Sequence, residues 1–199
     1  MSAFEERLIA LFGDIHHLDR IPRAGYVVRG VAHPESVAAH SHFVSLLVLM
    51  FLEEYPAEYD REKTLTMALT HDLAEAKLMD IPMPYADAYL KEAKDQAEQA
   101  IIEEMFAKFP PKFAAYHREL LEARTPEARL VRGLDKAQMM IKVLFYERER
   151  SGYLDEFWTG PANFRDYGIP AVSALFDALC VRAGRVRPKP SSRPDEDGS

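Results

Sequence analysis

The segment from Thr70 to Pro82 sets an imidazole and three carboxylates, His71, Asp72, Glu75 and Asp80, into an otherwise apolar helical stretch. Leu65, Ala68, Leu69, Asp72 and Ala76 fall on one helical stripe, and Met67, His71, Glu75 and Leu78 fall on the adjoining one. Acids on core-facing stripes are costly unless something neutralises them. Two other stretches repeat the anomaly. His40 shares a face with Val37, Val44 and Leu47, while Asp135 shares one with Val131, Gln138 and Met139. His40, His71, Asp72 and Asp135 therefore form a candidate two-imidazole, two-carboxylate set for one divalent cation. Nitrogen and oxygen donors without sulfur suit zinc, manganese, iron or cobalt. His42 lies two residues past His40 and points to a different helix face. His117 reads as part of an ordinary charged helix.

Helical periodicity dominates the chain, and no alternating strand stands out. The pattern predicts helices over 3–13, 37–55, 61–78, 86–108, 112–124, 126–150 and 170–183. Ser36 and Asp60 are expected N-caps, and Thr125-Pro126 is a proline-at-first-turn start. Residues 19–36, rich in arginine with two prolines and two glycines, read as a structured loop. The Phe and Met residues between 139 and 146 read as core, and Tyr153, Phe157 and Trp158 as packing for the bundle or a partner subunit. The fold class is all-α, a compact bundle of six to eight helices. Residues 1–183 are expected to form one domain and 184–199, polar and proline-rich, a disordered tail.

The chain has 199 residues, long enough for a sizeable core. Its 25 basic and 32 acidic side chains give a net charge of -7, which argues against a nucleic-acid polymer as partner. A few local arginines can still hold a small anion. The single cysteine, Cys180, fits a reducing compartment. No early apolar run resembles a secretory leader and no membrane span is expected, so the expected address is cytoplasmic.

The order of the ligand candidates, together with "RIPRAGYVVRGVAHPESVAAHS" and "ALTHDLAEAKLMDIPMP", resembles the HD-domain metal-dependent phosphohydrolases, closest to the HD-domain 5'-deoxyribonucleotidases. The resemblance covers about residues 15 to 160. It implies that His40, His71, Asp72 and Asp135 bind the metal, that Glu75 transfers a proton, and that Asp80 helps place water or the sugar. It also implies that Arg23 faces the phosphate, with Arg29 or Arg20 assisting, and that two copies pair as a homodimer. The implied reaction releases phosphate from (deoxy)nucleoside 5'-monophosphates through a metal-activated water. Two alternatives stand beside it: hydrolysis of a triphosphate or cyclic nucleotide, and a non-catalytic helical module. Met79 stands where the family has glycine, which restricts a positive φ. Ala24 stands where the bacterial enzymes place an aromatic that tests the sugar, leaving Tyr26 as the candidate for that role.

Overall fold

Three side-chain caps set the starts of the helices that carry the candidate ligands. Ser36 Oγ accepts from Ala39 N at 3.2 Å, Asp60 Oδ1 from Lys63 N at 3.0 Å and Thr125 Oγ1 from Ala128 N at 3.4 Å. In the computed structural model, which describes residues 3–189, these caps open α3 (Val37–Glu54), α4 (Arg61–Thr70) and α9 (Pro126–Arg148). The other α-helices among the described residues are α1 (Ala3–Ile15), α2 (Ala24–Val27), α5 (Glu75–Leu78), α6 (Met83–Tyr89), α7 (Lys91–Met105), α8 (Lys112–Glu122), α10 (Asp155–Thr159) and α11 (Pro170–Ala183). Of these eleven, α1, α3, α4, α7, α8, α9 and α11 have ten residues or more, within the six to eight expected of the bundle. The only extended pairing among the described residues is an isolated bridge from Pro22 to Ser36.

The central helix is α9, which packs against α3, α4, α8 and α11. Leu130, Leu134, Ala137, Met140 and Val143 on it are fully buried. Burial of each large aliphatic side chain contributes roughly 1.5–3 kcal/mol. Gly133 lets α11 approach: a Cβ there would lie 3.2 Å from a Val172 methyl. Phe157 and Trp158 join this core, whereas Tyr153 is exposed, and Phe145 is exposed rather than core.

Two predicted helices are broken. The 61–78 stretch ends as α4 at Thr70 and resumes as α5 at Glu75. His71 Nδ1 donates to the Ala68 carbonyl at 2.8 Å, so the side chain satisfies one of the carbonyls that the broken ladder frees. The 86–108 stretch is divided at Leu90 into α6 and α7. The loop at 19–36 contains the short α2, and its end is pinned by Gly152. With φ +81°, a Cβ on that glycine would lie 2.9 Å from the Arg29 carbonyl. Residues 184–189 open the expected tail, and there Arg187 bonds Ser173, Asp166 and the Phe164 carbonyl. The remainder of that expected tail, 190–199, lies outside the described residues.

Candidate functional site

Helix α3 supplies His40, the α4–α5 turn supplies His71 and Asp72, and α9 supplies Asp135. The ligand atoms of His40, His71 and Asp72 all lie within 4.8 Å of one another. Asp135 Oδ1 completes the group at 3.0 Å from His40 Nε2. The hydrogen bonds behind the rings decide what they present. Gln138 Nε2 donates to both oxygens of Glu35, at 3.1 and 3.3 Å, so its amide oxygen must face His40. That oxygen lies 2.6 Å from His40 Nδ1, which therefore carries the proton. His71 Nδ1 likewise donates to the Ala68 carbonyl.

Both Nε2 atoms are thus lone-pair acceptors in the neutral rings, and they face each other at 3.4 Å. Asp72 Oδ2 lies 3.2 Å from His71 Nε2 and 3.5 Å from His40 Nε2. Two imidazole lone pairs and two carboxylates converge with no proton donor among them. Such an arrangement repels itself unless a cation or added protons sit inside it, and the donor set fits a divalent metal. Burial by itself would lower the His71 pKa, but the Asp72 and Asp135 carboxylates raise it to about 8. Burial opposes ionisation of Asp72, yet the His71 and His40 rings and Arg23 hold its carboxyl well below the usual range.

Next to this group lies the Arg23 guanidinium. Its Nη1 is 3.3 Å from Asp80 Oδ1, 3.5 Å from Asp72 Oδ2 and 4.0 Å from Glu75 Oε2. The second Asp80 oxygen accepts from the Ala24 backbone N–H at the start of α2. Asp80 therefore fastens the arginine loop to the end of the His-Asp segment. Glu75 is 5% exposed and its Oε2 has no hydrogen-bond partner, so it is not a surface acid. Burial and the Asp72 and Asp80 charges push its pKa well above the carboxylate range, against Arg23.

A cavity of about 670 Å³ joins these residues, with Arg23, His71, Asp72, Glu75, Asp80 and Asp135 in its lining. Arg29 also lines it, but its Nε and Nη2 are turned to Glu156 Oε2 at 3.1 and 2.8 Å. Arg20 instead pairs with Asp19 on an exposed surface. The Tyr26 hydroxyl donates to the Met139 carbonyl at 3.0 Å, so the ring, not the hydroxyl, is what this residue offers. Lys136 Nζ is 3.2 Å from Asp135 Oδ2. His42 is exposed, as its helical position predicted.

Three participants were missed in the sequence. Glu35 and Gln138 stand behind His40, and His117, read as part of an ordinary charged helix, is 2% exposed on the cavity wall. The signal for His117 was available: it shares the apolar stripe of α8 with Phe113 and Leu120.

The sequence profile of a family described as HD domain matches residues 15–167. The 5'-deoxynucleotidase HDDC2 of Xenopus laevis is 30% identical over 184 residues, covering 89% of this chain and 88% of its own. The 5'-deoxynucleotidase hdd1 of Schizosaccharomyces pombe is 28% identical, covering 78% and 80%. The crystal structure of the PH0347 protein from Pyrococcus horikoshii superposes with a TM-score of 0.71 at 35% identity, over 88% of this chain and 98% of that one.

Proposed function

Because the chain belongs to the HD-domain family, we propose that it is a metal-dependent phosphomonoesterase releasing phosphate from (deoxy)nucleoside 5'-monophosphates. One observation carries the reading: four lone-pair ligand atoms converge beside a buried arginine and a buried glutamate. The two relatives described as 5'-deoxynucleotidases support the deoxynucleotide end of that range.

His40, His71, Asp72 and Asp135 would hold the cation. When bound, a divalent metal supplies Lewis acidity toward a phosphoryl oxygen and toward the attacking water. Arg23 clamps the remaining phosphate oxygens, a forked task that lysine performs less well. Asp80 acts through Arg23 and Ala24, fixing the angle at which the guanidinium meets the anion. Glu75, kept protonated by burial among acids, delivers its proton to the departing 5'-oxygen and so avoids a free alkoxide. Arg29, committed to Glu156, adds positive potential at the cavity wall without a second clamp.

Purified protein supplied with cobalt or manganese should release phosphate from a deoxynucleoside 5'-monophosphate, and chelation should stop it. Glu75→Gln should lower kcat by about 10²–10⁴-fold, the range for a positioned proton donor, with a smaller change in KM. A rate indifferent to chelation, or a Glu75→Gln enzyme with full kcat, contradicts the reading.

The proposal includes a homodimer and a cytoplasmic address. Helix α3 carries apolar side chains on more than one face, and the face with Val44, Val48 and Leu52 enters the core. Phe43, Leu46 and Met50 on another face are 42%, 45% and 51% exposed, and a second copy would cover them.

A further inference from the structure

The cavity that holds the candidate metal ligands has a second pole, formed where α7, α8 and α9 meet. His117 of α8 lies in its lining, 2% exposed, and His117 Nε2 has no hydrogen-bond partner. The surrounding bonds determine what that atom is. Gln99 Nε2 donates to Glu103 Oε1 at 2.8 Å and to the Ala114 carbonyl at 3.3 Å. Neither can donate in return, so the orientation of the amide is fixed. Gln99 Oε1 therefore faces His117 Nδ1, 3.1 Å away, and Nδ1 must carry the ring proton. Nε2 is left as a bare acceptor in the protein interior. Burial, with a smaller push from His71, lowers the ring's pKa to about 4, so the imidazole is neutral at physiological pH.

An unpaired buried acceptor lowers stability, and among the described residues none donates to this one. A donor brought by a ligand would. Leu120, Leu121 and Val131 add apolar area to the same cavity, Asp95 and Glu98 add acceptors, and the cations that line it there are already engaged, Lys94 by Glu98 and Arg132 by the Tyr167 hydroxyl and the Leu120 carbonyl. Apolar faces with an acceptor-rich edge match a flat heterocycle that carries N–H groups at its rim.

We propose that this pole receives the nucleobase and that His117 Nε2 accepts a hydrogen bond from an exocyclic amine on it. The inference rests on the nucleotide reading above and deepens it: the metal pole takes the phosphate, and the α8 pole favours amino-bearing bases. His117 is then a specificity-determining residue with no part in the bond cleavage.

The test compares kcat/KM for 2'-deoxyadenosine 5'-monophosphate with that for its analogue lacking only the 6-amino group, using the cobalt-loaded enzyme. The wild type should prefer the amino substrate roughly tenfold, mostly through KM, as expected when a site built for a hydrogen bond loses it. His117→Leu should bring the ratio near one, and His117→Gln, which keeps an acceptor, should restore part of it. Equal constants for the two substrates in the wild type would overturn the inference, as would a ratio unchanged in His117→Leu. Should the leucine variant fail to fold, the wild-type comparison decides alone. Absence of turnover on both substrates would instead overturn the nucleotidase reading beneath it, and this inference with it.

Discussion

Behind His40, an amide and a buried acid form a chain whose polarity cannot be reversed. Glu35 accepts from Gln138, Gln138 accepts from His40, and Lys142 Nζ balances the acid from 3.7 Å. The amide between ring and carboxylate fixes the tautomer and the ring plane while keeping the carboxylate's charge one group away. Such supporting bonds typically carry 10–100-fold in metal affinity. Gln138→Leu should therefore weaken cobalt binding by about that factor, measured by calorimetric titration; unchanged affinity would reduce the chain to packing. The ligand residues themselves were legible because polar groups on apolar helical stripes are conspicuous. Glu35 was not, since it lies in an irregular loop where periodicity carries no information. Gln138 was seen on the Asp135 face, but an uncharged amide there raises no cost that demands an explanation.

At the scale of the element, the turn after α5 carries a conflict between sequence and backbone. Met79 adopts φ 66°, ψ 164°, a region open almost only to glycine, and its N–H still closes the turn onto the Glu75 carbonyl at 2.9 Å. The geometry that glycine would allow is retained without the glycine, because the turn must bring Asp80 back onto Arg23 and Ala24. Strain of this kind costs roughly 1–3 kcal/mol, partly offset in any glycine variant by added freedom of the unfolded chain. Met79→Gly should therefore stabilise the protein by about 1 kcal/mol in denaturant unfolding; a loss of stability would mean that Met79 makes packing contacts worth more than the strain. Helix ends were largely readable where a side chain caps them, as with Ser36, Asp60 and Thr125. The breaks at His71 and Leu90 were not, because apolar periodicity runs straight through both. The first is stabilised by a bond from a histidine ring that the sequence had already assigned to another task.

Over the whole molecule, the long helices α3 and α9 hold His40 and Asp135, the turn between α4 and α5 holds His71 and Asp72, and the short segments α2, α5 and α6 carry the substrate side. Rigid elements thus fix the charge cluster, and loops fastened by Asp80 and Gly152 deliver Arg23 to it. The all-α class and the position of the core followed from periodicity. The shared cavity did not, since it depends on how α7, α8 and α9 pack against one another. The exposed apolar face of α3 belongs to this scale as well. Met50→Glu should shift a dimer toward monomer in sedimentation analysis, through burial of a charge at the contact; a mass unaffected by the substitution would remove α3 from the interface.

The account stands on the convergence of His40, His71, Asp72 and Asp135 around one cation. Calorimetric titration of the metal-free protein with cobalt tests it most directly. One ion should bind per chain, and Asp135→Asn should weaken that binding by roughly tenfold or more. A wild-type chain that binds no ion, or an Asp135→Asn chain that binds it equally well, would contradict the account.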